Sequence, residues 1–191
     1  MRLLMLLSVC FCCFFIGFIN IGTILASPNI KLNLHLSSSQ MQWIMTLRYI
    51  ALSSFVVFMG RISDSIGRAN VYILGVLILI VGAILLSIGT DYWLVIIGSI
   101  FIGLGAAAAV PCGLAIVKVI YPQEKTMLVL SVVMISALTG ASLGSLFGGM
   151  FSLYVNWRMV FWVALLGYFI SLAIGVPSKK IEDKLELREF K

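Results

Sequence analysis

Six long apolar blocks, separated by short polar reversals, constrain this chain more than anything else in it. The blocks neither alternate, as barrel strands would, nor carry the polar stripe of a surface helix. Of 191 residues, 62% are hydrophobic and only 10% charged, where a soluble domain carries about a quarter charged residues. Backbone buried in lipid must satisfy its own hydrogen bonds, and uninterrupted apolar blocks do so as helices. The reading is an all-α polytopic membrane protein with six transmembrane helices. They are expected at about residues 4–26, 41–59, 70–88, 93–117, 126–151 and 157–176, each near the roughly 20 residues a span needs.

Punctuation sets these limits. Ser27-Pro28 is expected to end the first helix, and a polar loop over 27–40 carries Lys31 and the only histidine, His35. Pro177 is expected to stop the sixth helix, leaving a mixed-charge tail over 178–191. The apolar run after Arg2 is about twice the length of a signal-peptide core, which favours a span over a cleaved leader. Leu7-Ser8-Val9-Cys10 matches a lipoprotein box only loosely, because Val9 is large. Cys10, Cys12, Cys13 and Cys112 lie inside apolar helices and read as inert thiols, with no disulfide framework or metal site.

The net charge of +6 sits in loops and tail, which argues for topology signals and against a nucleic-acid interface. Six spans put both termini on one side. That side holds Arg2, Arg61, Arg68, Lys118, Lys125, Lys179, Lys180, Lys184, Arg188 and Lys191, and the other holds Lys31 and Arg158. Ten against two places the termini and the 60–68 segment in the cytoplasm, with the plasma (inner) membrane as the expected location. Trp43, Tyr92, Trp93, Tyr154 and Trp157 fall at the opposite boundary, as an aromatic belt does.

Three motifs stand out. Between the second and third blocks lies Gly60-x-x-x-Asp64-x-x-Gly67-Arg68, with Arg61 inside it. Gly60 is expected to let helix ends approach, Gly67 to take a positive φ, and Asp64 to accept hydrogen bonds from a helix N-terminus or pair with Arg61 or Arg68. On the fifth helix Ser136, Gly140, Gly144 and Gly148 recur every four residues, with Gly149 beside the last. Such a groove of small residues lets a second helix pack closely in lipid. On the fourth helix runs Gly103-Leu-Gly105-Ala-Ala-Ala-Ala-Val-Pro111.

Together these motifs resemble the major facilitator superfamily of secondary transporters, and the fifth-helix motif, with Gln42-Trp43 and Asn156-Trp157-Arg158, is similar to its multidrug-efflux branch. The resemblance covers residues 10–177 and corresponds to the amino-terminal six helices, two three-helix repeats, of a fold with two such halves. It implies a substrate cavity between the halves, lined by helices 1 and 4, with Asn20, Thr23, Arg48, Ser99 and Gly103 as candidate lining residues. It also implies that Asp64 and the fifth-helix glycines face the opposite half, which a second copy or a separate carboxy-terminal chain must supply.

The departures bear on mechanism. Ser99 stands where the family pattern has an arginine, Ser145 replaces the fifth-helix proline, and helix 1 has no acid, with Asn20 nearby. Proton coupling needs a titrating group in the membrane, and none of the six blocks contains a carboxylate. Arg48 lies at about the depth of Ser99. It either supplies the missing buried charge, facing a cavity or an anionic substrate, or snorkels to the headgroups. An intramembrane serine protease built on Ser142 lacks a base, because His35 is in the outer loop. The expected function is secondary transport of a small drug-like molecule or metabolite, without catalysis, cofactor or metal. The alternative is a truncated or non-transporting six-helix protein that docks on another transporter half.

Overall fold

The computed structural model describes the backbone of residues 2–189 and the side chains of residues 3–177. It contains six helices: α1 (Arg2–Asn33), α2 (Ser38–Ile66), α3 (Arg68–Ile88), α4 (Tyr92–Ile120), α5 (Gln123–Tyr154) and α6 (Met159–Glu189). All six are long and apolar enough to cross a membrane. Their outer surface carries exposed Leu, Ile, Val and Phe along its length, as a lipid-facing surface does. Arg2, Lys179, Lys180, Lys184, Arg188 and Lys191, six of the ten cations in the topology count, lie outside the described side chains.

The helices overrun the sequence limits at both prolines. α1 passes through Pro28 to Asn33, and α6 passes through Pro177. Proline removes one backbone donor, but tertiary contacts hold α1 past that point. Ala26 and Ile30 are fully buried, and Asn29 Nδ2 donates to both the Ser152 carbonyl and Ser152 Oγ at 2.7 Å. The loop expected over 27–40 shrinks to residues 34–37, turned by His35 at φ 51°. It is closed by a capping box in which Ser37 and Gln40 exchange hydrogen bonds, satisfying two orphan donors of α2.

The packing repeats. α1 lies against α5 and α6, and α4 lies against α2 and α3; α3 also meets α6. Exchanging the first three helices with the last three maps this pattern onto itself, so the bundle is two three-helix repeats. α4, α3 and α1 are the most buried, at 61%, 56% and 50% of their most apolar windows. In their most apolar windows, α2 and α5 are only 17% and 22% buried, against 44% to 61% for the other four.

Small residues set the closest contacts, because lipid gives no hydrophobic drive for helix association. The glycine groove of α5 is filled by α1. A Cβ at Gly140 would fall on the Phe14 carbonyl, one at Gly144 on the Phe18 carbonyl, and one at Gly148 would sit 2.6 Å from the Cα of Gly22. The groove therefore does not face an absent half; it is spent inside this chain. On α3 and α4 a second set, missed in the sequence reading, interlocks reciprocally: Gly75 with Gly105 and Gly82 with Gly98. Trp157 also departs from the aromatic belt. It is 1% exposed, packs edge-on against Phe161, and its ring lies under the Arg158 guanidinium at 4.4 Å. Arg158 Nη2 in turn donates to the Gly89 carbonyl at 2.7 Å, satisfying the C-terminal end of α3.

Candidate functional site

The 60–68 segment is helical rather than a loop. α2 runs through Asp64 to Ile66, and Gly67 alone breaks the chain at φ 90°, ψ 136°, a conformation close to glycine-only. Side chains return the helix-end carbonyls: Ser63 Oγ donates to Gly60 O at 2.6 Å, Ser65 Oγ to Ile62 O at 2.9 Å and Asn70 Nδ2 to Ile66 O at 2.6 Å. Asn70 was not singled out from sequence; its position four residues after the last α2 residue was the available signal. Asp64 pairs with Arg68 at 3.5 Å rather than with a helix N-terminus. That exposed pair contributes at most about 0.5 kcal/mol. A Cβ at Gly60 would meet no atom of another described helix within 4 Å, and Arg61 is exposed.

A second group forms inside the bundle. Arg48 is the eleventh residue of α2 and only 3% exposed. It does not snorkel: its guanidinium turns inward, toward α1 and α4. Nη1 donates to Asn20 Oδ1 and to Thr23 Oγ1, each at 3.4 Å, and Nη2 donates to Ser99 Oγ at 3.5 Å. These are long contacts, near the outer limit for hydrogen bonds, and Nε has no partner. The structure thus brings together four of the five candidate lining residues. Gly103, the fifth, is a packing position: its Cβ would strike the Arg48 carbonyl and approach the Ala51 methyl at 3.0 Å. Its absence of side chain lets α2 carry Arg48 against α4.

Beside this group, a 240 Å³ cavity opens between α1, α4 and α5 near mid-height. Asn20 lines it together with Cys13, Ile16, Val110, Leu114 and Met134. Oδ1 of Asn20 must face Arg48, because a guanidinium only donates. The amide nitrogen is thereby left free of the guanidinium, on a residue that lines the cavity. A third polar cluster also escaped the sequence reading. Ser8 Oγ lies 2.9 Å from the Tyr72 hydroxyl and donates to Ser171 O at 2.8 Å, and Ser171 Oγ donates back to Ser8 O at 3.0 Å. This closed network ties α1, α3 and α6. Single hydroxyls inside long apolar blocks were its only trace in the sequence.

The fold defines the class, a polytopic helical bundle built as two three-helix repeats in which α2 and α5 are the least buried. The chain belongs to the major facilitator superfamily, whose family model matches residues 7–190. It is 30% identical over 142 residues to the uncharacterized MFS-type transporter EfpA of Mycobacterium tuberculosis, covering 73% of this chain and 26% of that protein. It is 31% identical over 138 residues to the quinolone resistance protein NorB of Staphylococcus aureus, covering 71% and 30%. It is 26% identical over 157 residues to the riboflavin transporter RibZ of Clostridioides difficile, covering 81% and 34%. The chain thus spans about a quarter to a third of the length of these relatives. In fold it superposes on a crystal structure of the peptide transporter POT with a TM-score of 0.81 at 22% identity, covering 92% of this chain and 37% of that one.

Proposed function

We propose that this chain is one six-helix half of a secondary active transporter that moves a small drug-like molecule or metabolite outward across the plasma (inner) membrane, with both termini cytoplasmic. The observation that carries the reading is the buried Arg48 group set beside a cavity open on α1, α4 and α5. Secondary transporters place substrate near the bilayer midplane at such repeat interfaces. The poorly buried faces of α2 and α5 take the complementary half, and the exposed Arg61 and Asp64 meet it at the cytoplasmic edge. That half would come from sequence beyond residues 1–191, from a second copy or from a separate carboxy-terminal chain. The similarity to the quinolone resistance protein NorB supports the efflux direction.

A second reading is favoured by one observation, that all seven acidic residues lie outside the cores of the spans. A half without a membrane carboxylate has no evident proton-coupling group, and fits a non-transporting partner that docks on another half. Reconstituted vesicles separate the two. With an imposed pH gradient, uptake of a fluorescent quinolone or of ethidium by this chain alone supports a homodimer. Uptake only after co-reconstitution with a complementary six-helix chain supports a split transporter. No flux of either compound in either preparation removes the transport reading and leaves the docking one.

A further inference from the structure

We infer that the cavity between α1, α4 and α5 selects molecules that carry a carboxylate on a compact apolar body, with Asn20 as the contact residue and Arg48 as the residue that positions Asn20 and supplies the charge. The inference deepens the transport reading and rests on it for the cavity's role as a substrate path; its test does not require flux.

The argument starts from charge. A guanidinium stays protonated in proteins, and a buried charge is costly unless paired. Among the described residues the hydrogen bonds of Arg48 go to three neutral side chains, at 3.4 Å and 3.5 Å, and its Nε is unpartnered. Among the described side chains no acid is placed beside it. Asp64 lies near the far end of α2, Asp91 precedes α4, Glu124 begins α5, and the other four acids fall at residues 182–189. The counter-charge is left to a ligand or to protein outside the described residues.

The cavity wall then decides the ligand. Its residues other than Asn20 are apolar or small, so a phosphate or other strongly hydrated dianion would lose its water without replacement donors. A carboxylate keeps one strong acceptor pair for the Asn20 amide nitrogen, in the field of the guanidinium one residue behind. Low dielectric strengthens that attraction and equally repels cations. At 240 Å³ the cavity falls a little short of the roughly 300–1,000 Å³ of complete small-molecule sites, as a half-site should.

Binding of three isosteric probes to the purified full chain in nanodiscs tests this: 2-naphthoate, 2-naphthamide and 2-naphthylmethylammonium, by calorimetry. The expected order is carboxylate tightest, by about tenfold or more over the amide, with the ammonium weakest. Arg48→Gln should bring the carboxylate-to-amide ratio to about one, and Arg48→Lys should keep most of it, which a purely structural role for Arg48 would not produce. Asn20→Asp places a fixed carboxylate beside the guanidinium and should abolish naphthoate preference in a folded protein, so it carries the test if Arg48→Gln fails to fold. Equal binding of the three probes by the unmodified chain overturns the inference, as does a preference that survives Arg48→Gln or Asn20→Asp. If the unmodified chain ignores naphthoate but loses association with a complementary half on Arg48→Gln, the counter-charge is a fixed residue of that half and the small-molecule inference falls. Flux without carboxylate preference would sink this inference alone; carboxylate preference without flux would sink only the transport reading.

Discussion

Arg48 and the Ser8–Tyr72–Ser171 cluster are both buried and polar, yet substitution should affect them oppositely. The serine–tyrosine cluster is hydrogen-bonded at 2.8–3.1 Å across three helices. Tyr72→Phe removes the hydroxyl shared by both serines and should destabilise the bundle by about 1 kcal/mol, the usual scale for interhelical hydrogen bonds in membranes. Arg48 is held by long, incomplete contacts, and replacing a buried charge by an apolar side chain of similar volume is often neutral or stabilising. Arg48→Met should therefore leave the melting temperature of the purified chain unchanged or higher. A fall on Arg48→Met as large as that on Tyr72→Phe would show that the guanidinium holds the helices together rather than serving a ligand.

At the scale of the helix, the glycines of α5 divide into two kinds that look alike in sequence. Gly144 faces the Phe18 backbone, where an added methyl has no flexible side chain to displace, while Gly149 faces open space. Gly144→Ala should cost about 1–3 kcal/mol as an overpacking change, whereas Gly149→Ala should be neutral or slightly stabilising through better helix propensity. Thermal unfolding of the two variants in one detergent checks this, and equal losses would contradict the α1–α5 contact. The period of four was legible in the chain; the helix it packs against was not. A small-residue stripe states that something comes close, and only the folded partner says what. The same limit explains Pro28, whose local tendency to end a helix is overruled by Asn29 reaching Ser152 and by the burial of Ala26 and Ile30.

For the whole molecule, the charge asymmetry and the open faces make separate predictions. The orientation proposed from the lysines and arginines puts Ser65 in the cytoplasm and Ser38 outside, and both are exposed. In a background lacking the native cysteines, Ser38→Cys should react with an impermeant maleimide on intact cells and Ser65→Cys only after permeabilisation. The reverse pattern would invert the topology. A complementary half on the α2 and α5 faces should protect Phe58 and Leu138, which are 56% and 68% exposed here. Cysteines at those positions should cross-link to it at short range, and labelling unchanged by its presence would place the interface elsewhere.

The sequence by itself determined the solvent, the number of spans and the family, because these depend on composition, block length and motif spacing, which survive without any contact being known. It also carried Arg48, Asn20, Thr23 and Ser99 as separate polar residues in apolar helices. Their convergence on one guanidinium depends on how α1, α2 and α4 rotate about their axes, and that rotation is set by glycine contacts between residues far apart in the chain, Gly103 beneath Arg48 and Gly144 on Phe18. Tertiary structure alone decided that the α5 groove is filled from within, that Trp157 is core, and that a buried cation has no counter-charge among the described side chains. Each is a statement about which side of a helix meets which neighbour, and in helices apolar on nearly every side no periodicity records it.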